Sequence, residues 1–245
     1  MKTQYNKIVA GAFALSILVS PFAGFAAETK VKGGSFCNKI DVVTEKINTR
    51  LVTHLDKFAV RENTRIANIS KRRVTRDETR SDHREAKDIK VDTRISNLTA
   101  KADTEAKKLA VVSFEQSVNS AISQRRATVD GAVLKFRNGV DNLITTKFNS
   151  IDSSAAVFKQ SVNEAIVTAK NSCANGTDSE IVRTTMRNSI KVAQEKFKTN
   201  RIDTSIQADI NALVEIKRQS IDGAVVKFKA DMEKAKADLK IAFGA

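Results

Sequence analysis

Proline is almost missing from this 245-residue chain: Pro21 is the only one, and it lies close to the N-terminus. Tryptophan does not occur, and the single tyrosine is Tyr5. Only seven glycines follow residue 26, so most of the chain runs without the usual turn punctuation. With 29% charged residues and abundant Ala, Lys, Glu, Arg, Val and Ile, this scarcity points to long helices. The lack of Trp and Tyr removes the usual anchors of a tight aromatic hot spot. Broad electrostatic contacts suit such a surface better.

Long apolar runs are equally scarce. The one present follows Lys2 and Lys7, extends from Ile8 to about Val19, and stops at Pro21 before Ala23, Gly24, Ala26 and Ala27. That order of charged, apolar and small residues is the layout of a secretory signal, with cleavage expected after Ala26. The run is shorter than the roughly 20 residues a membrane span requires. No later segment is apolar for long enough, so the sequence predicts an exported chain, periplasmic or at the cell surface, without a further anchoring helix. Loss of Lys2 and Lys7 with residues 1–26 lowers the formal charge from +14 to +12, and anionic partners are favoured.

Cysteine is limited to Cys37 and Cys173. In an oxidising compartment an even count reads first as a disulfide, with paired free thiols as the alternative. Two cysteines without a nearby histidine make a poor zinc site. The two histidines, His54 and His83, stand 29 residues apart on one proposed helix, about 40 Å by helical rise, and cannot share a metal. Ser81, Asp82 and His83 have triad residue types, but neighbours on a helix point in different directions. No P-loop, dinucleotide-binding glycine pattern, HExxH or calcium loop occurs, so neither a cofactor nor enzymatic chemistry is expected.

The periodic segments organise the chain after residue 26. Residues 27–37, with the Gly33-Gly34 pair, read as a flexible leader. From Ile40 the positions Val43, Ile47, Leu51, Leu55 and Phe58 follow at helical steps. Beyond Phe58 the same helix turns highly charged: residues 61–94 hold eleven Lys or Arg and seven Asp or Glu. Opposite charges three or four apart, with Arg80 and Arg84 beside Glu78, Asp82 and Glu85, read as a solvated helix. Within it, Lys71, Arg72, Arg73 and Arg76 are the candidate contacts for an anionic partner. Cap-type residues place a break near 99–104.

An internal repeat begins at Phe114. The units Phe114 to Ile122, Phe136 to Ile144 and Phe158 to Ile166 recur every 22 residues, each with Phe, Val and Ile in register, at Val118, Val140 and Val162 for the valine. Val129, Val133, Ile151 and Ala155 fill the intermediate positions, dividing the period into two eleven-residue units of about 3.67 residues per turn. The phenylalanines occupy apolar repeat positions and read as core layers. Asn175-Gly176 reads as a helix stop and Thr177-Asp178-Ser179 as the next start. These signals predict an all-α, elongated antiparallel three-helix bundle with helices over about 38–98, 104–172 and 178–243. The midpoint of Cys37 and Cys173 is residue 105, beside the inferred break, so a disulfide there would staple the base of a hairpin. Closing so long a loop is worth about 4 to 5 kcal/mol in the chain-entropy model.

Phe36-Cys37-Asn38-Lys39-Ile40, the charged helix, the Phe and Val repeats, and Lys170-Asn-Ser-Cys173 before Val182-Arg183-Thr184-Thr185 together resemble a group of secreted, proline-free helical proteins of uncultured small-genome bacteria. The resemblance covers nearly the whole chain after residue 26 and implies the architecture alone. Three functions compete. One is an envelope or surface interaction protein that binds an anionic polymer, a lipid surface or a protein through diffuse charge. A second is a periplasmic holdase chaperone; charge and helicity are similar to the Skp-type chaperones, although no β-rich trimerisation segment is legible. The third, binding of extracellular DNA, would be non-specific, since no sequence-reading motif is present.

Overall fold

A computed structural model describes residues 35–203 and 206–244; the expected signal segment and most of the leader lie outside them. A 3-10 turn over Cys37–Lys39 leads into α1 (Ile40–Lys101), followed by α2 (Glu105–Ala174), α3 (Ser179–Asp203) and α4 (Gln207–Phe243). No strand occurs among the described residues, and none of their helices is long and apolar enough to cross a membrane. Where the apolar pattern runs on as one helix over 178–243, the structure has two, α3 and α4. Thr199 and Asn200, near the end of α3, are weak helix formers. The chain divides into two compact units, the first comprising residues up to Thr53 with 150–207 and the second residues 54–149 with 208–245.

In the first unit, three helical segments surround an apolar core. Phe36, Ile40, Val43 and Leu51, Phe158, Val162, Ile166 and Ala169 of α2, and Val182, Met186, Ile190 and Phe197 of α3 are all buried. Phe158 and Phe197 stack with ring centroids 5.4 Å apart. Each such side chain contributes roughly 1.5–3 kcal/mol by leaving water. The cysteines are joined, with Cα atoms 5.4 Å apart.

The end of α2 shows why the stop signal works. Gly176 has φ +77°, and its N–H donates to the Cys173 carbonyl at 3.1 Å while the Thr177 N–H reaches the Ser172 carbonyl at 3.0 Å. This pair of bonds satisfies the last carbonyls of the helix and needs a left-handed residue, hence glycine. Asp178 then caps α3, accepting from the N–H groups of Glu180 and Ile181 at 2.9 and 3.1 Å. Ser179 adds a tertiary link by accepting the Cys37 N–H at 2.9 Å.

In the second unit the loop between α1 and α2 is short, and the Thr104 hydroxyl accepts the Lys107 N–H at its far end. Ile95, Ala102 and Val111 form the buried centre there, with Val91, Leu98, Phe114, Leu239 and Phe243 packed on it. Further along, α4 lies antiparallel to α2, with Lys217 over the Phe136 ring, Arg125 over Phe228 and Lys107 near Phe243. Core positions here are small, among them Ala121, Ala132, Ala224 and Ala235. Leu213 presses on Gly139 so closely that a Cβ there would sit 2.8 Å from Leu213 Cδ1. Of the repeat positions, Val118, Val140 and Val162 are all buried, whereas Phe114 and Phe136 are only half-buried.

Candidate functional site

The charged stretch of α1 lies in the second unit and is sorted into two populations by its neighbours. One faces α2. Arg73 donates to both carboxylate oxygens of Asp141, at 2.8 and 2.7 Å, and Arg137 does the same to Asp77, at 2.8 and 2.6 Å. Arg84 spans Asp130 at 2.9 and 2.7 Å, and Arg126 spans Asp88 at 3.0 and 2.6 Å. Arg80 joins the set through Asp77 and, at 3.2 Å, Asp130. In each two-pronged pair the planar guanidinium matches the carboxylate, which fixes direction as well as distance.

These pairs form an antiparallel ladder with a repeat of its own. Arg73 and Asp77 recur eleven residues on as Arg84 and Asp88, and their partners Arg126 and Asp130 recur as Arg137 and Asp141. Sequence reasoning placed Arg80 and Arg84 in local pairs with Glu78, Asp82 and Glu85; the structure instead turns them toward Asp77 and Asp130. The missed aspartates were findable from the eleven-residue spacing that the apolar repeat already displayed.

The ladder leaves its mark on the carboxylates. The hydrogen bond from Arg137 chiefly holds Asp77 down to about 2 against partial desolvation, with Arg80 adding to the effect. Asp88 is lowered chiefly by the Arg126 hydrogen bond and Asp130 by that of Arg84. All three stay ionised at neutral pH, so the ladder is a set of charged pairs.

The second population faces water. Of the four sequence candidates, Arg73 belongs to the ladder, while Lys71, Arg72 and Arg76 are exposed. Successive residues of a helix point about 100° apart, so Lys71 does not share a direction with Arg72. The patch of four neighbours is therefore divided. Arg76 influences α4: the Lys217 ammonium, half-buried over Phe136, is lowered first by desolvation and then by the charge of Arg76.

His54 is half-buried and His83 exposed. No group of three or more His, Cys, Asp or Glu that could hold a metal occurs among the described residues. In the first unit an open groove of about 600 Å3 lies between α2 and α3, lined by small and hydroxyl side chains such as Ala165, Thr168, Ala169, Ser172 and Ser189. Glu164 and Lys196 are its charged lining groups. Compared with known proteins, the chain matches no family model, no curated protein and no solved structure.

Proposed function

We propose that this chain is an exported, non-enzymatic interaction protein of the cell envelope or surface, a basic helical bundle built on eleven-residue repeats that binds anionic partners. One observation carries the reading. The ladder consumes Asp77, Asp88, Asp130 and Asp141 in internal pairs, while Arg72 and Arg76 beside it remain exposed with no partner among the described residues. Asp77 and Asp88 of the charged stretch are thus taken up by the ladder, Glu78, Asp82, Glu85 and Asp92 stay exposed, and Arg72 and Arg76 are left to the solvent. The disulfide supports an oxidising compartment. Arg72, Arg76 and Lys71 act by electrostatic attraction, which steers and retains a polyanion without demanding a shaped pocket.

The test is binding of the purified, disulfide-intact chain to an immobilised polyanion series across a salt gradient. Elution that moves steeply with salt supports the reading. Failure to retain any polyanion at low salt, combined with salt-independent suppression of aggregation of an unfolded outer-membrane protein, supports a holdase instead.

A further inference from the structure

The exposed cations of α1 are arranged in a line. Starting at His54 and stepping by three, four and four residues, the helix passes through 57, 61, 65, 68, 72, 76, 79, 83, 87, 90, 94 and 98 to Lys101. These fourteen positions carry nine of the thirteen Lys and Arg between residues 54 and 101, both histidines, and none of the eight Asp and Glu. The 3-4-4 step averages about 3.67 residues per turn, so the positions keep to one side of the helix and wind only slowly around it. All are exposed except His54, Arg65 and Leu98, which are half-buried. None of the nine Lys or Arg has an ion-pair partner among the described residues, whereas three of the four cations off the line, Arg73, Arg80 and Arg84, are held by aspartates.

A solvated helix face would mix the two signs of charge. Here the acids lie in other directions: Asp77 and Asp88 in the α2 ladder, Glu62 half-buried, and Asp56, Glu78, Asp82, Glu85 and Asp92 exposed off the line. The line from Lys57 to Lys101 extends about 66 Å, with about 5.5 Å between successive positions. Such a straight, sparse row of charge matches an extended polymer with about one anion per monomer. Duplex DNA is a poorer match, because it carries a charge every ~1.7 Å and its strands wind away from a straight rod. Single-stranded nucleic acid is held by aromatic stacking, and the line contains no aromatic residue.

We infer that the acid-free line of Lys and Arg along α1 is a binding track for a linear acidic polysaccharide bearing one carboxylate per sugar. The inference rests on the anionic-partner reading above and narrows it to one polymer class and one helix face. Arg61, Arg72, Lys87 and Arg94 lie along the track and contact successive stretches of the chain. Binding is cooperative along the polymer, since neighbouring contacts share one strand, and affinity rises with oligomer length until the track is covered.

The test uses the disulfide-intact chain and polygalacturonate. Isothermal titration is run with oligomers of increasing length, with the methyl-esterified polymer, with duplex DNA, and with anionic phosphatidylglycerol vesicles at the same salt. Two variants of equal net charge are compared: Arg61→Gln/Arg72→Gln/Lys87→Gln/Arg94→Gln on the track, and Lys135→Gln/Lys159→Gln/Lys198→Gln/Lys229→Gln off it. Helicity by circular dichroism checks that both fold. The expected result is a loss of about tenfold or more in polygalacturonate affinity for the track variant, at most two- to threefold for the other, and no binding of the ester. Equal losses in the two variants overturn the track but leave the general reading standing. Tighter binding of DNA or vesicles overturns the polymer class alone. Self-association removed only by the track variant assigns the line to a second copy and overturns the proposal. Absence of binding to every polyanion defeats both readings.

Discussion

Arg84 and Asp130 meet through two hydrogen bonds of 2.9 and 2.7 Å, and Arg80 approaches the same carboxylate at 3.2 Å. Asp130 is thus the acceptor that two α1 arginines share. Its replacement leaves both cations half-buried, with Arg80 still supported by Asp77.

Asp130→Ala is expected to destabilise the protein by about 1 kcal/mol, a modest figure because these side chains retain solvent contact. Asp82→Ala removes an exposed carboxylate and should stay within about 0.5 kcal/mol of the parent. Denaturant midpoints at unchanged m-value provide the comparison.

Acid should loosen the ladder. Asp77 is depressed from 3.8 to about 2 in the folded chain, and Asp88 and Asp130 shift in the same direction. A folded-state pKa below the unfolded one means stability that is complete above pH of about 4 and lost as pH falls toward 2. Helicity followed during acid titration should decline in that window. Asp77→Asn should be less stable at neutral pH and show a shallower decline.

Reduction of Cys37–Cys173, or Cys173→Ser, should cost about 2–5 kcal/mol, since the bond closes a separation of 136 residues. Hydrogen exchange should accelerate most around Ile40 and Val43, where the turn before α1 is tied to Cys173 and Ser179. Equal acceleration throughout the chain would contradict a local clamp.

Glycines in α2 and α4 offer a graded test of packing. Nothing lies within 4 Å of a Cβ added at Gly131 or Gly223, so alanine there should stabilise by about 0.5–1 kcal/mol through helix propensity. At Gly139 the same gain is offset by displacement of the Leu213 side chain, and Gly139→Val should destabilise outright. Gly176→Ala, at φ +77°, should cost about 1–2 kcal/mol. Thermal melts of the four alanine variants would rank them.

Much of this architecture was legible because local signals are strong in a proline-free helical chain. Gly176 and Asp178 announced a helix end and a helix start, and cysteine spacing agreed with the turn near residue 105. The division between α3 and α4 was hidden: Ile202 and Ile206 continue the apolar rhythm across a cap-rich stretch, and periodicity was read ahead of backbone competition. At the candidate site, the sequence counted charges without direction. Lys71, Arg72, Arg73 and Arg76 looked like one patch because they are close in sequence. Angular position on the helix separates Arg73, which points to Asp141, from the cations that face water. The eleven-residue period was found in valines and phenylalanines, and the same period in the charges needed the partner helix to become visible.

The ladder also works as a vernier. Arginine and aspartate alternate along each helix, so sliding α2 by one turn sets Arg73 against Arg137 and Arg84 against Arg126, or, in the other direction, Asp77 against Asp141 and Asp88 against Asp130. Either displacement turns attraction into repulsion at two rungs. A shift of eleven residues restores opposite partners at some rungs, but it sets Asp77 against Phe148 in one direction and Asp88 against Glu115 in the other. Charge order therefore favours the same alignment of this hairpin that its core and its disulfide hold.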